Sequence, residues 1–484
     1  MRMSDLLHDM SLPDGLDANL AVSGLTCDSR KVRPGYVFAA FSGAADDGAA
    51  YIEDASAKGA CAVLAEAGTP SVLPLLPSAQ PRLTYAQMAA RFFKYAPQHI
   101  VAVTGTNGKT SVAEFYRQII DRLGLRAASL GTMGVTGAAV SETLQHTTPE
   151  PAVLHAVLRD LYFEGVTHLA MEASSHGLSQ YRVDGVRPQA AAFTNLTRDH
   201  LDYHQTEAAY LEAKSRLFTD VLAEDGMAVI NLEGAGAPEI LERAERSGKS
   251  VLTVGLSETA DVWACDIVPG VGGMSMTLHY QGDVCPTELA VIGRFQIENV
   301  LCAVGLAMAG GLALADIAAV LPSLSGAAGR LERVGVHPNG AALYVDYAHT
   351  PDALRQVLEN LHPHCSGRLI CVFGCGGDRD AGKRPLMGQV AAQYADFVII
   401  TDDNPRSEAA AQIREQIQAA SPQALNIGDR STAIAEAVAQ AGAGDIVLVA
   451  GKGHETGQIV GETVLPFSDH EVLRRLIREA GNDA

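Results

Sequence analysis

The stretch Val101-Ala-Val-Thr-Gly-Thr-Asn-Gly-Lys-Thr-Ser111, running straight into Val112-Ala-Glu-Phe-Tyr-Arg-Gln-Ile-Ile-Asp-Arg-Leu123, decides how the rest of the chain is read. An apolar run from Ile100 to Val103 predicts a buried strand, Gly105 and Gly108 permit a tight turn, and apolar residues then recur at helical spacing. The order is strand, loop, helix. Such a loop aims backbone N–H groups and a helix N-terminus at anionic oxygens, while Lys109 adds a point charge and the Thr110 hydroxyl offers an oxygen to Mg²⁺. These features point to a site built for a nucleoside triphosphate. The usual phosphate-loop pattern has a glycine five positions before Gly108, where this chain has Val103, so a generic kinase or GTPase fits less well. A glycine-containing connection that binds nothing would leave the adjacent Lys109-Thr110 pair unexplained.

Outward from that loop, residues 98–328 alternate strand and helix, which implies a largely parallel sheet covered on both faces. Helices are expected at Glu150 to Glu164, Glu207 to Leu222 and Gln296 to Ala309, and strands at His168 to Ala173, Ala190 to Thr194 and Met227 to Asn231. Asp261 to Ile292 reads as antiparallel strands at one edge. Residues 1–97 mix short strands such as Val37 to Phe41 and Cys61 to Ala65 with a short helix near Tyr51 to Gly59, interrupted by a Pro-rich passage from Pro70 to Pro81. The small residues 323–329 suggest a hinge. Residues 329–484 begin a second alternating series, with strands at Ala342 to Asp346, Leu369 to Phe373, Phe397 to Thr401 and Ile446 to Ala450, giving a smaller Rossmann-like domain. The fold class is therefore α/β in three domains.

At 484 residues the length itself favours several domains. A formal net charge of −20 and a sequence pI near 5.1 argue against binding to nucleic acid or to an anionic membrane. Anionic substrates must then be held by local basic groups, N–H nests and metal. Hydrophobic residues make up 47% and mean hydropathy is +0.09, yet no uncharged run is long enough for a membrane span; Ala303 to Val320 contains Asp316 and reads as a buried helix pair. The N-terminus carries early acids and no apolar signal core, so a cytoplasmic protein is expected. The eight cysteines are scattered and read as free thiols.

Polar clusters follow several predicted strands: Thr147-Thr148-Pro149, Glu172-Ala-Ser-Ser-His176, Asn195-Leu-Thr-Arg-Asp-His200, Gly374-Cys-Gly-Gly-Asp-Arg-Asp380, Thr401-Asp-Asp-Asn-Pro-Arg406 and Gly451-Lys-Gly-His-Glu455. Strand ends of this kind are where such sheets bind ligands. A carboxylate leaving a buried strand, Glu172, suits Mg²⁺ beside a triphosphate. His200 and His204 stand four residues apart, but Leu201 occupies the place of the glutamate in a zincin motif and His176 lies far outside the spacing, so a zinc site is rejected. Lys214, with Glu212 and Arg216 beside it, reads by itself as an ordinary solvated helix lysine.

Together, Thr104 to Thr110, Glu172 to Gly177, Thr194 to His204, Ala213-Lys214, Gly329-Arg-Leu-Glu332, Asp346-Tyr-Ala-His-Thr-Pro351 and Gly451 to Glu455 closely resemble the Mur ligases over nearly the whole chain. The resemblance implies a UDP-binding domain, a central ATPase domain and a C-terminal domain that brings an amino acid, with ATP as co-substrate and Mg²⁺ as cofactor. It also implies the chemistry: ATP phosphorylates a D-Glu side-chain carboxylate in UDP-N-acetylmuramoyl-L-alanyl-D-glutamate, and an amine of meso-2,6-diaminopimelate displaces the phosphate. A free carboxylate is a poor acyl donor, and phosphorylation supplies its leaving group.

By resemblance, Gly105, Thr106, Asn107, Gly108, Lys109, Thr110 and Ser111 hold ATP, Lys109, Glu172, His200 and Lys214 are catalytic, Lys214 as a carbamylated lysine, and Thr110, Glu172, His200 and Lys214 lie near metal. Ser29 matches a uridine-side contact; Thr147, Thr148, Ser174, Gln180 and Arg182 match contacts to the sugar-peptide; Cys27 and the stretch Ala44-Ala45-Asp46 align with further uridine contacts. Arg379, Asp403, Asn404, Pro405, Arg406, Gly451 and Glu455 match contacts to diaminopimelate. Diaminopimelate exceeds lysine by one far carboxylate, which a planar guanidinium reads in bidentate fashion, so Arg406 favours diaminopimelate. A site committed to that pairing rejects the shorter analogue by about 10⁴. A lysine-adding homologue, a non-catalytic nucleotide-binding regulator and a kinase remain the alternatives. A monomer acting on small molecules alone is expected.

Overall fold

The computed structural model describes residues 1–8, 12–13, 16–43, 47–139, 144, 146–197, 199–270 and 273–482. The stretch 44–46, expected near uridine, and Arg198 lie outside them. The strand His99–Thr104 forms the axis of a parallel sheet, with His168–Glu172 on one side and Ala190–Phe193 on the other. Beyond these lie Ala127–Gly131 on the first side, and Met227–Asn231 then Ser250–Gly255 on the second. The chain goes first to one side of His99–Thr104 and later to the other. Its C-terminal end is thus a topological switch point, where α/β sheets leave a crevice. Helices Lys109–Arg122 and Pro151–Phe163 cover the sheet. Ile100, Ala102, Leu169, Met171, Ala191 and Phe193 point into one buried cluster, as the near-continuous apolar runs of a doubly covered sheet require.

The chain divides into two compact units, Met1–Gly255 with Cys302–Ala313, and Leu256–Leu301 with Leu314–Ala484. The first unit also holds a four-stranded parallel sheet in sequence order, Gly24–Thr26, Tyr36–Ala39, Ala62–Ala65 and Leu75–Pro77. Alternation assigns its faces: Val37, Ala39 and Leu64 join Tyr85 and Met88 of the helix Pro81–Phe93, whereas Phe38, Val63 and Ala65 join Ile52 and Ala55 on the other side. The Pro-rich passage is therefore not merely an interruption. It supplies an edge strand, where proline costs no ladder bond, and then starts a helix with Pro81 in its first turn.

The second unit contains an antiparallel meander, Val262–Gly270, Gly273–Tyr280 and Asp283–Leu289. It also contains a six-stranded sheet ordered Glu332–Val336, Ala342–Asp346, Ile446–Ala450, Leu369–Phe373, Phe397–Ile400 and Leu425–Asn426, parallel except for the first pair. Leu369, Cys371, Phe373 and Leu448 face one core, and Ile370, Val372, Val447 and Val449 the other. The fully buried Arg430 donates to both oxygens of Asp469 at 2.8 Å and to the Ala450 carbonyl at 2.9 Å, tying the last helix to a strand end. Among the described residues no helix is long and apolar enough to cross a membrane.

Candidate active site

In the first unit the loop after His99–Thr104 is shaped by its neighbours before any ligand arrives. Gly105 has φ 148°, and a Cβ there would lie 1.9 Å from Thr194 Oγ1; Gly108, at φ 85°, precedes the helix Lys109–Arg122. Asn195 accepts from Thr106 N through its carbonyl at 2.8 Å and from Asn107 N through Oδ1 at 3.0 Å. Thr194 Oγ1 donates to the Asn107 carbonyl at 2.6 Å, and Thr106 Oγ1 accepts from Thr197 N at 2.9 Å. The loop is therefore clamped by residues 194–197. Lys109 Nζ donates to the carbonyls of Gly105 and Thr106, both at 2.8 Å.

Glu172 leaves its strand buried, at 2% exposure. Its Oε1 accepts from Thr110 Oγ1 at 2.9 Å and from Thr132 N at 3.0 Å, and its Oε2 accepts from Thr132 Oγ1 at 3.1 Å. A Cβ on Gly131 would meet Oε1 at 2.1 Å, so the glycine makes room for the carboxylate. Thr147 and Thr148 extend the cluster: Thr132 and Thr147 share a hydroxyl pair at 3.0 Å, and Thr148 Oγ1 donates to the Glu172 carbonyl and accepts from Ser174 N, each at 2.9 Å. The adjoining hydroxyl and carboxylate of Thr110 and Glu172 are hard oxygen donors of the kind Mg²⁺ takes, so the residues fit that ion.

Lys214 is 1% exposed, although by sequence it looks like a surface lysine. Its Nζ donates to the Gly105 carbonyl at 2.7 Å and lies 4.3 Å from the centre of the Tyr210 ring. Burial first, then the nearby Lys109 charge, hold the Lys214 ammonium well below the ordinary lysine range, while Asp199 acts weakly the other way. Burial and the Lys109 charge both favour the neutral amine over the ammonium. The helix carrying it, Glu207–Arg216, turns into a π-turn at Leu217–Val221, so the expected helix to Leu222 is bulged just beyond the lysine. Such bulges gather at functional sites. His200, at φ 53°, packs edge-on to His176 with ring centres 4.8 Å apart and 6.2 Å from Tyr210.

A cavity of about 260 Å³ in the same unit is lined by Cys27, Arg82, Tyr85, His146, Glu150 and Arg182, with Gln180 beside them. Arg182 donates to the Thr148 carbonyl at 2.8 Å and to Gln180 Oε1 at 2.7 Å, so the residues expected to contact the sugar-peptide reach the Glu172 cluster. Cys27 Sγ and Tyr85 OH both donate to Glu150 Oε2, at 3.4 and 3.0 Å. Burial and the Glu150 charge push both groups far up from their ordinary values. Ser29 begins the short turn Ser29–Lys31 capped by Asp28, and is not among the cavity-lining residues. Sequence reading missed Thr132, Tyr85 and Glu150. A threonine directly after the glycine at a strand end was the available sign for Thr132; for the others there was none.

In the second unit the expected amino-acid residues also converge. Arg406, at φ 51°, donates from Nη1 to the Gly377 carbonyl at 2.7 Å. Asn404 Nδ2 donates to Glu455 Oε2 at 2.9 Å, and Asn404 N to Asp403 Oδ1 at 2.7 Å. A Cβ on Gly451 would lie 2.7 Å from Asp403 Oδ2. Arg379 is exposed and donates to the Asp378 carbonyl at 3.4 Å, apart from this network. Arg330 lies over the Tyr347 ring at 4.6 Å. Buried Asp346 has its carboxyl pushed up to about 6 by burial, against the pull of Arg330 and the N–H groups of Leu331 and Ala348.

A glycine-bearing loop clamped at a helix start, with a hydroxyl–carboxylate pair and a buried amine close to it, is an arrangement suited to a nucleotide-dependent enzyme. The family models agree in order along the chain: Mur ligase family, catalytic domain over residues 21–92, Mur ligase middle domain over 103–307, and Mur ligase, glutamate ligase domain over 329–453. The chain belongs to the Mur ligase family. It is 49% identical to UDP-N-acetylmuramoyl-L-alanyl-D-glutamate–2,6-diaminopimelate ligase of Agrobacterium fabrum, covering 95% of this chain and 94% of the relative. It is 48% identical to the enzyme of that name from Bradyrhizobium diazoefficiens, covering 98% of each. A solved structure of a ligase with that name superposes with a TM-score of 0.74 at 36% identity, covering 99% of both chains. The MurF ligase of Thermotoga maritima shares the fold, with a TM-score of 0.64 at 19% identity over 95% of this chain and 98% of its own.

Proposed function

We propose that this chain uses ATP to join meso-2,6-diaminopimelate to the D-glutamate side chain of UDP-N-acetylmuramoyl-L-alanyl-D-glutamate, in peptidoglycan precursor synthesis. The near full-length identity to ligases of that name supports the reaction, and the observation that carries the chemistry is the Thr110–Glu172 pair beside Lys109 and Lys214. The phosphate loop holds ATP, and Lys109 leaves its own loop carbonyls to offset charge on the phosphoryl group in transit. The D-Glu carboxylate attacks the γ-phosphorus, ADP departs, and the neutral amine of diaminopimelate adds to the acyl phosphate, losing a proton as phosphate leaves. Magnesium, when bound, neutralises phosphate oxygens; Thr110, Glu172, His200 and Lys214 are the residues proposed to hold it. Lys214 serves as a carbamate: its neutral amine takes up CO₂, releases a proton and becomes an anionic oxygen donor. The buried position of the amine supports this role.

Cys27, Ser29, Thr147, Thr148, Ser174, Gln180 and Arg182 are proposed to bind the UDP-linked substrate. Arg379, Asp403, Asn404, Pro405, Arg406, Gly451 and Glu455 are proposed to bind diaminopimelate, with Arg406 reading its far carboxylate. The working division is 1–97, 98–328 and 329–484, in a cytoplasmic monomer. The test incubates the protein with ATP, Mg²⁺ and the UDP-muramoyl dipeptide and compares meso-diaminopimelate with lysine by product mass. An adduct with diaminopimelate is expected. Absence of any adduct sinks the ligase reading, a stable phosphorylated product favours a kinase, and an adduct with lysine alone sinks the role of Arg406.

A further inference from the structure

Lys452 is assigned no role by the site described so far, and its surroundings are unusual for a lysine. Its side chain is fully buried, at 0% exposure. Its Nζ donates to Asn404 Oδ1 at 3.0 Å and to Glu455 Oε2 at 2.8 Å. The flanking glycines turn it inward. Gly451 has φ 114° and Gly453 φ 55°, and a Cβ on Gly453 would lie 2.8 Å from Tyr347 Cβ.

The network has one internally consistent polarity. Asn404 Oδ1 accepts from Lys452 Nζ and from Ile459 N at 2.9 Å, so the other end of that amide must donate, and it does, to Glu455 Oε2. Both donors therefore fall on the same carboxylate oxygen. No hydrogen bond of this network reaches Glu455 Oε1, and the Glu455 side chain keeps 32% exposure. A buried lysine is costly unless paired, and replacing such a pair by apolar residues is often neutral for stability. A cation whose hydrogen bonds go to the amide and carboxylate of a binding site is thus poorly explained as a device for holding the fold.

We propose that Lys452 is a positioning residue for amino-acid recognition: with Asn404 it fixes Glu455 through Oε2 and so aims Oε1 at an ammonium group of the incoming diamine. The inference rests on the ligase reading above. Lys452 touches no reacting atom. It sets the orientation of the carboxylate that does the binding, and Lys452 loses its effect when that carboxylate is gone.

The test is steady-state kinetics of the full chain with all three substrates, first for the wild type and then for Lys452→Met, Lys452→Gln, Glu455→Gln and the Lys452→Met/Glu455→Gln double variant, with melting temperatures for each. Losing a hydrogen bond to a charged group predicts a rise in KM for diaminopimelate of about 10-fold or more in Lys452→Met, with KM for ATP and for the UDP-muramoyl dipeptide within about 2-fold of wild type. In the Glu455→Gln background the same change should add less than about 2-fold, because the two residues act through one carboxylate. The proposal is overturned if a folded Lys452→Met keeps its KM for diaminopimelate, if all three KM values rise together, or if the two substitutions multiply. Failure of both Lys452 variants to fold overturns it as well, since the lysine would then serve the core. A wild type that makes no adduct removes the ligase reading and this inference together; an active wild type with an unaffected variant removes this inference alone.

Discussion

Lys214 shows how far a residue's sequence context can mislead. Glu212 and Arg216 beside it give a charged stretch that reads as a solvated face, yet the side chain is buried and reaches the Gly105 carbonyl at 2.7 Å. Tyr210 one turn away covers the amine, but the carbonyl that receives it lies 109 residues distant in the chain, which no local pattern encodes. The positions of Lys109, Thr110 and Glu172 were legible because each stands at a strand or helix end that the local sequence marks. If the depressed basicity of Lys214 serves carbamylation, protein equilibrated with ¹³C-bicarbonate gives a carbamate carbon resonance that Lys214→Arg lacks. Lys214→Arg also lowers kcat by about 10²-fold or more, since a guanidinium cannot become an anionic donor. Occupancy falls as pH is lowered, because the protonated amine does not react with CO₂. An unchanged kcat in the arginine variant would rule the role out.

At the level of elements, the clamp on the phosphate loop and the helix Pro151–Phe163 each carry a prediction. Gly105→Ala places a methyl against Thr194 at a backbone angle that alanine resists. It should cost about 2 to 4 kcal/mol of stability and abolish nucleotide binding, seen as a lowered melting temperature that ATP no longer raises. His155, 5% exposed on that helix, has its imidazole pushed down to about 4 by burial. Its folded value lies below the unfolded one, so protons favour the unfolded chain. The contribution of this residue is complete above about pH 6.5 and falls by roughly 3 kcal/mol as pH drops to about 4. Melting curves across that range for wild type and His155→Leu check the sign: the variant should lose the part of the slope due to this residue. The strand Leu75–Pro77 was hidden from sequence reading because prolines normally break ladders, and only an edge position tolerates them. The strands Leu369–Phe373 and Ile446–Ala450 were fully legible, since burial on both faces writes an unbroken apolar run.

For the whole molecule, the two compact units have separate buried clusters, centred on residues such as Leu169 and Phe193 in one and Phe373 and Leu448 in the other. Unfolding should therefore depart from two-state behaviour. Calorimetry is expected to show more than one transition, and ATP with Mg²⁺ should raise the one belonging to the unit with the phosphate loop, by mass action on its folded form. A single transition that shifts as a whole would contradict this. The order of the polar clusters along the chain was readable before any coordinates. Which of them meet was not, because convergence depends on strand order and not on spacing. The carbonyl of Gly105 receives both Lys109 and Lys214, and the second of these arms is proposed to capture an inorganic gas before it can work. The enzyme would then answer to dissolved carbon dioxide as well as to its substrates, and a preparation held in degassed buffer should idle until air is readmitted.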